Sequence, residues 1–168
     1  FRKADFPQRI QGGNPRVENG YLLFDGAMDG NRQVDPQIAV GGGYVFHGTN
    51  LGLTIYDKEG NYIDGVSQKH FNKGIDPKMF YDTHNKVFGF DLWNPWDEEK
   101  KKPVNISISE TNNPTGAWNI YPVPAPGGVD GGGIGVVCND KYLYGQVEIT
   151  NHFRILESKC LESGSNSI

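Results

Sequence analysis

Cysteine is almost missing from this sequence: its 168 residues include two, Cys138 and Cys160. Two thiols are too few for a structural zinc site unless histidines complete the set, and no such spacing occurs. Long apolar runs are missing altogether. Nothing approaches the roughly 18–20 consecutive apolar residues that a helix needs to cross a bilayer, so no membrane partner is expected. Concentrated basic charge is missing too: 16 lysines and arginines lie scattered among 20 aspartates and glutamates, for a net charge of −4. Without a basic patch to neutralise phosphates, nucleic acid is not expected as the main partner. There is no Gly-x-Ser-x-Gly turn to present a serine nucleophile. Gly131-Gly132-Gly133 is not followed by the helix or the Lys-Ser/Thr of a phosphate cradle. The chain opens on Phe1 rather than methionine, which a cleaved secretory leader and a truncation explain equally well.

What is present points to short strands. Glycines number 23 and aromatic residues make up 12%, a mixture suited to strands joined by tight turns rather than to helices. The length suffices for one domain with a real core. The organising stretch is Asp35-Pro36-Gln37-Ile38-Ala39-Val40-Gly41-Gly42-Gly43-Tyr44-Val45-Phe46-His47-Gly48-Thr49-Asn50: a stop, an apolar run, a glycine turn, a second run and a loop. Its opening returns at Asp76-Pro77-Lys78-Met79-Phe80-Tyr81-Asp82, and a worn copy begins at Asp130-Gly131-Gly132-Gly133-Ile134-Gly135-Val136-Val137. Recurrence at about 40–50 residues, with several short strands per unit, marks a propeller blade. The fold class expected is all-β: β-propeller blades of four antiparallel strands, about three of them present, as part of a larger or assembled propeller.

Read in order, residues 1–34 form an N-terminal arm and closing strand, irregular through residue 20, with Tyr21-Leu22-Leu23-Phe24 as an isolated strand. The loop after it carries Asp25, Asp29 and Asn31, oxygen ligands that could hold calcium, although the glutamate and spacing of an EF-hand are missing. The blades span 35–75, 76–129 and 130–160, and 161–168 is a polar tail. In the first, Gln37–Val40, Tyr44–His47, Leu53–Tyr56 and Asn61–Val66 are the strands, with Asp57-Lys58-Glu59-Gly60 a hairpin turn. In the second they are Lys78–Tyr81, Lys86–Leu92, Val104–Ser109 and Trp118–Pro122, interrupted by a charged insertion from Trp93 to Pro103. Val104, Ile106 and Ile108 alternate with Asn105, Ser107 and Ser109, as in a half-buried strand. In the third they are Gly133–Val137, Lys141–Gln146 and Phe153–Glu157. This places Cys138 and Cys160 about 14 Å apart across three strand spacings, too far for a disulfide unless the tail folds back. Asn105-Ile106-Ser107 is a glycosylation triplet, of little weight inside a strand.

Three blades do not close a ring, since propellers generally need at least four. Further blades from a longer chain or from self-association are therefore expected. Asp35 to Gly43, Ile55-Tyr56-Asp57-Lys58-Glu59-Gly60, Asp76-Pro77 with Phe80-Tyr81-Asp82, and Ile106-Ser107-Ile108-Ser109 with Asn113-Pro114-Thr115-Gly116 and Trp118 resemble the blades of secreted bacterial and fungal β-propellers. The resemblance covers roughly residues 35–137 and is more specific for the blade than for the activity. Within that group the chain is most similar to the seven-bladed polysaccharide lyases acting on ulvan or on rhamnose–glucuronate linkages. The resemblance implies a secreted enzyme that cleaves an acidic, uronate-containing polysaccharide by β-elimination.

Such lyases place two histidines about twenty residues apart in an early blade, and His47 and His70 are the candidates here. Neutral imidazole suits removal of a proton beside a uronate carboxylate, and a second imidazole or a tyrosine suits protonation of the departing oxygen. The carboxylate must also be neutralised. After Arg32 the chain has one arginine, Arg154, which matches no neutralising position, so Lys141 or a metal takes that role in this reading. Asn50, in the loop after His47, and Trp93, able to stack on a sugar ring as Trp96 is, are the further substrate-binding candidates. Each has a plainer alternative. A histidine at a strand end commonly caps backbone groups, and a tryptophan pair commonly pins a long loop to its sheet. His84 and His152 read as turn residues, and Asp97-Glu98-Glu99 beside Lys100-Lys101-Lys102 as a solvated loop of balanced charge. The second function carried alongside the lyase is a non-catalytic propeller module binding a glycan or protein partner.

Overall fold

The computed structural model describes residues 12–27, 36–50, 52–67, 75–93, 104–123, 135–138, 142–149 and 152–159. The strands are β1 (Gly13–Glu18), β2 (Tyr21–Asp25), β3 (Gln37–Gly41), β4 (Tyr44–Gly48), β5 (Gly52–Asp57), β6 (Tyr62–Ser67), β7 (Ile75–Asp82), β8 (Val87–Trp93), β9 (Val104–Ser109), β10 (Trp118–Val123), β11 (Gly135–Cys138), β12 (Tyr142–Ile149) and β13 (His152–Lys159). Among the described residues there is no helix, and every strand pair is antiparallel. The sheets are sequential meanders: β1-β2, β3-β4-β5-β6, β7-β8-β9-β10 and β11-β12-β13. None of them closes on itself among the described residues.

Turn chemistry fixes the hairpins. Gly42 and Gly43 both take positive φ, 55° and 95°, and this two-residue turn matches the twist of β3 and β4, which a turn with negative φ at both positions would splay. Asn19 and Gly20 do the same between β1 and β2, at φ 52° and 81°. The segment expected as an irregular arm is therefore corrected over 13–18: it is a strand, and Tyr21–Phe24 is its partner rather than an isolated strand. The loss of backbone entropy is offset because Asn-Gly reaches this geometry almost without strain. His152, read as a turn residue, instead opens β13 opposite Ile149. His84 does lie in a turn, its N–H donating to Asp82 Oδ1 at 2.9 Å.

Strand parity sets two faces on the β3–β6 sheet. Ala39, Phe46, Leu53 and Ile55 point one way and meet Phe88, Phe90 and Leu92 of the β7–β10 sheet, forming one shared core. The Phe46 ring packs edge-on to Phe88 and Phe90, with centroids 5.8 and 5.9 Å away. Each such ring, fully buried, contributes about 1.5–3 kcal/mol, so the two sheets stabilise one another. Contact is too close for side chains at two glycines: a Cβ on Gly41 would overlap the Tyr81 ring, and one on Gly48 would come within 2.7 Å of Met79 Sδ. β3 runs against β7, and β11 also lies against β7.

The opposite face carries Ile38, Val40, Val45, His47, Thr54, Tyr56 and Tyr62. The open end of the β1–β2 hairpin docks there. Phe24 packs on Tyr56 at 5.3 Å, a Cβ on Gly60 would meet Phe24 at 2.7 Å, and Gly13 lies beside Tyr62.

Candidate functional site

Of the five candidate residues, His47 and Asn50 have described side chains. His70 and Lys141 lie outside the described residues, and Trp93 closes β8 with its side chain outside them. So do the Trp96 insertion, Asp29, Asn31 and Cys160, and with Cys160 the disulfide question.

His47 is the penultimate residue of β4, where strand alternation turns it toward the docked hairpin. It is 8% exposed. Its Nδ1 lies 3.2 Å from Thr54 Oγ1, directly across the β4–β5 pair. The Thr54 hydroxyl in turn donates to the His47 carbonyl oxygen at 3.4 Å. The other ring nitrogen, Nε2, faces the hairpin's exit: a Cβ built on Gly26 would stand 3.3 Å from Cε1 and 3.5 Å from Nε2. Burial pushes the His47 pKa below the ordinary histidine value, keeping the ring neutral. Tyr56, with its ring centroid 6.5 Å from the imidazole, is hydrogen-bonded to the Thr54 side chain and the Ala27 backbone. Its pKa is raised, with burial the main cause.

Downstream, the chain turns at once. Thr49 donates its N–H to Gly52 O at 2.9 Å, and its hydroxyl reaches the same oxygen at 3.4 Å. Asn50 sits in this turn, 4% exposed and engaged by its surroundings. His47 and Asn50 thus share one strand end, as the sequence places them, but both are interior groups.

At the hairpin, Asp25, the described member of the calcium reading, pairs its Oδ1 with Arg16 Nη1 at 3.0 Å. Among the described residues no three of His, Cys, Asp and Glu gather in a metal-binding group. Asn105 lies in β9, paired on one side to Leu92 and on the other to Pro122, inside a sheet rather than on a loop.

Sequence reasoning missed the Thr54–Tyr56 pair and the Gly26–Ala27 cover. Thr54 and Tyr56 were legible as same-face residues of one strand, two apart. Nothing local in the sequence indicates that residues 26–27 come to lie over them.

Comparison of the chain with family models, with curated proteins and with solved structures finds no match in any of the three.

Proposed function

We propose that this chain is part of a secreted β-propeller acting as a non-catalytic binding module, with a glycan held on its strand-end loops. Its ring is completed by further blades from a longer chain or a second copy. The observation that carries this reading is His47: its burial, its contact with Thr54 and the closeness of Gly26 support a structural histidine rather than one open to substrate. The propeller part is supported by two four-stranded meanders sharing a core. It is supported also by the opening strands β3 and β11 both lying against β7, as sheets fanned about an axis would place them. The glycan follows from the resemblance of the repeat to secreted carbohydrate-active propellers. The test is binding of uronate-containing polysaccharides by wild type and by His47→Ala. Equal affinity supports the module, and loss of binding by a folded variant overturns it.

A second reading has one observation in its favour. Burial lowers the His47 pKa and so favours the neutral imidazole, the form a proton-abstracting base requires. On this reading the chain is a polysaccharide lyase. His47 and His70 supply base and acid, Lys141 or a metal neutralises the uronate carboxylate, and Asn50 and Trp93 hold the sugar. It requires residues 26–27 to move aside. Ultraviolet absorbance of an unsaturated uronate, rising with wild type and absent with His47→Ala, is the expected result. No rise on any uronate glycan would end it.

A further inference from the structure

Contacts among the described residues hold the β1–β2 hairpin to the sheet beneath it at its open end. Gly13 stands by Tyr62, Phe24 packs on Tyr56 with ring centroids 5.3 Å apart, and the Ala27 backbone is hydrogen-bonded to Tyr56. The remaining contact is to His47: a Cβ on Gly26 would stand 3.3, 3.5 and 3.8 Å from Cε1, Nε2 and Nδ1. Toward its turn the hairpin stands in solvent, with Val17 73% and Tyr21 72% exposed. Its ion pairs, Arg16 to Glu18 and Arg16 to Asp25, are internal to it. A two-stranded ribbon is marginal by itself, so the docked end is what keeps this one ordered.

That end rests on a titratable group. His47 is 8% exposed, opposed by Ile38 of β3 on one side and by Thr54 of β5 on the other. The titratable groups sharing its face are the hydroxyls of Tyr56 and Tyr62, both neutral at acid pH. Arg16, Glu18 and Asp25 lie on the hairpin face opposite Phe24, turned away from the sheet. Asp64 pairs with Ile55 and so belongs to the other side of the sheet. The ring's neighbours are thus a hydroxyl, an aromatic ring and a glycine, and among the described residues no carboxylate offsets the charge that protonation brings. A charge buried without a partner is strongly unfavourable, and the least disruptive relief is the smallest movement that returns it to water. Strands β4 and β5 cannot supply that movement without parting the core that Phe46 and Ile55 share with the neighbouring sheet. The hairpin can.

We propose that the β1–β2 hairpin is an acid-released cover: protonation of His47 undocks it from β4–β6 while the core between the two four-stranded sheets stays folded. The face laid open carries Thr54, Tyr56 and Tyr62 beside the imidazolium. The sign follows from burial, which favours the neutral ring in the docked form alone. Below the ordinary histidine value of about 6.5, the released form gains up to about tenfold on the docked form per pH unit, until the docked-state pKa is reached. The proposal stands on the docking contacts and depends on neither reading of function.

The measurements are amide hydrogen exchange of the whole chain, each amide referred to its unstructured rate at the same pH, and the His47 ring resonance by NMR. From about pH 7 to about pH 5 the protection of the β1 and β2 amides is expected to fall about tenfold, while β4, β5, β8 and β9 keep theirs. His47→Gln stays neutral and can still bond Thr54, so its hairpin should remain protected throughout that range. Phe24→Ala weakens the docking without altering a titratable group. Its release should move to higher pH, with the His47 ring titrating nearer the ordinary value. Hairpin protection that stays flat in wild type, or falls equally in His47→Gln, would overturn the proposal. So would a His47 ring that titrates beneath a still-protected hairpin, release shared by β4 and β5 at the same pH, or a Phe24→Ala profile identical to wild type.

Discussion

Burial fixes the charge of His47 before any partner does. Its pKa lies below the ordinary value because the ring is desolvated, so on acidification the unfolded chain takes up the proton first. The linked contribution to stability is complete above about pH 6.5 and is lost as pH falls below that value toward the folded-state pKa. Denaturant midpoints should decline from about pH 7 to about pH 5, and His47→Gln should flatten that limb. Tyr62 behaves in the opposite sense. Burial first, then the charges of Asp64 and Tyr56, push its hydroxyl up to about 12, and among the described residues that hydroxyl is buried without a hydrogen-bond partner. Its contribution is present below the ordinary tyrosine value of about 10 and is lost as pH rises through the folded-state value. Because an unsatisfied buried hydroxyl is itself unfavourable, Tyr62→Phe should be neutral or stabilising by up to about 1 kcal/mol at neutral pH in urea melts.

Glycine positions decide what the strands tolerate. Gly89 of β8 sits opposite Phe80 of β7, whose ring lies where a Cβ would go. Gly89→Ala should therefore destabilise by about 1–3 kcal/mol, read from a thermal or urea melt, since the ring must leave its rotamer or the strands must part. The β1–β2 hairpin depends on its turn: Gly20→Ala has space around it but must hold φ 81°, so the hairpin amides should exchange faster while those of β4 and β5 keep their protection. These elements differ in how openly the sequence declares them. Strands β3 to β6 were legible because the Asp-Pro stop, the glycine turn and Asp57–Gly60 punctuate them. β1 was overlooked although Asn19-Gly20 carries a strong hairpin signal, because Pro15 and the glycines around it read as breakers. Pro15 falls in the register shift between Gly13 and Arg16, where the ladder is already interrupted. The cover over His47 was not legible at all, since it joins residues about twenty positions apart through a docking that no local pattern encodes.

For the molecule as a whole, the shared core joins the two four-stranded sheets into one unit. Phe46 touches both, so Phe46→Ala should cost about 3–5 kcal/mol, a large part of a typical domain's 5–15 kcal/mol. Hydrogen exchange should then rise in β4–β5 and β8–β9 together rather than in one sheet alone. Trp118 gives that coupling a built-in optical reporter. Its indole stands 5.4 Å from the Phe46 ring and 5.1 Å from Phe90, and its Nε1 donates to Pro114 O at 3.0 Å. Any parting of the sheets admits water to that ring and shifts its emission to longer wavelength, so with Trp93 and Trp96 replaced by phenylalanine one fluorophore tells a solution experiment whether the two layers are still joined.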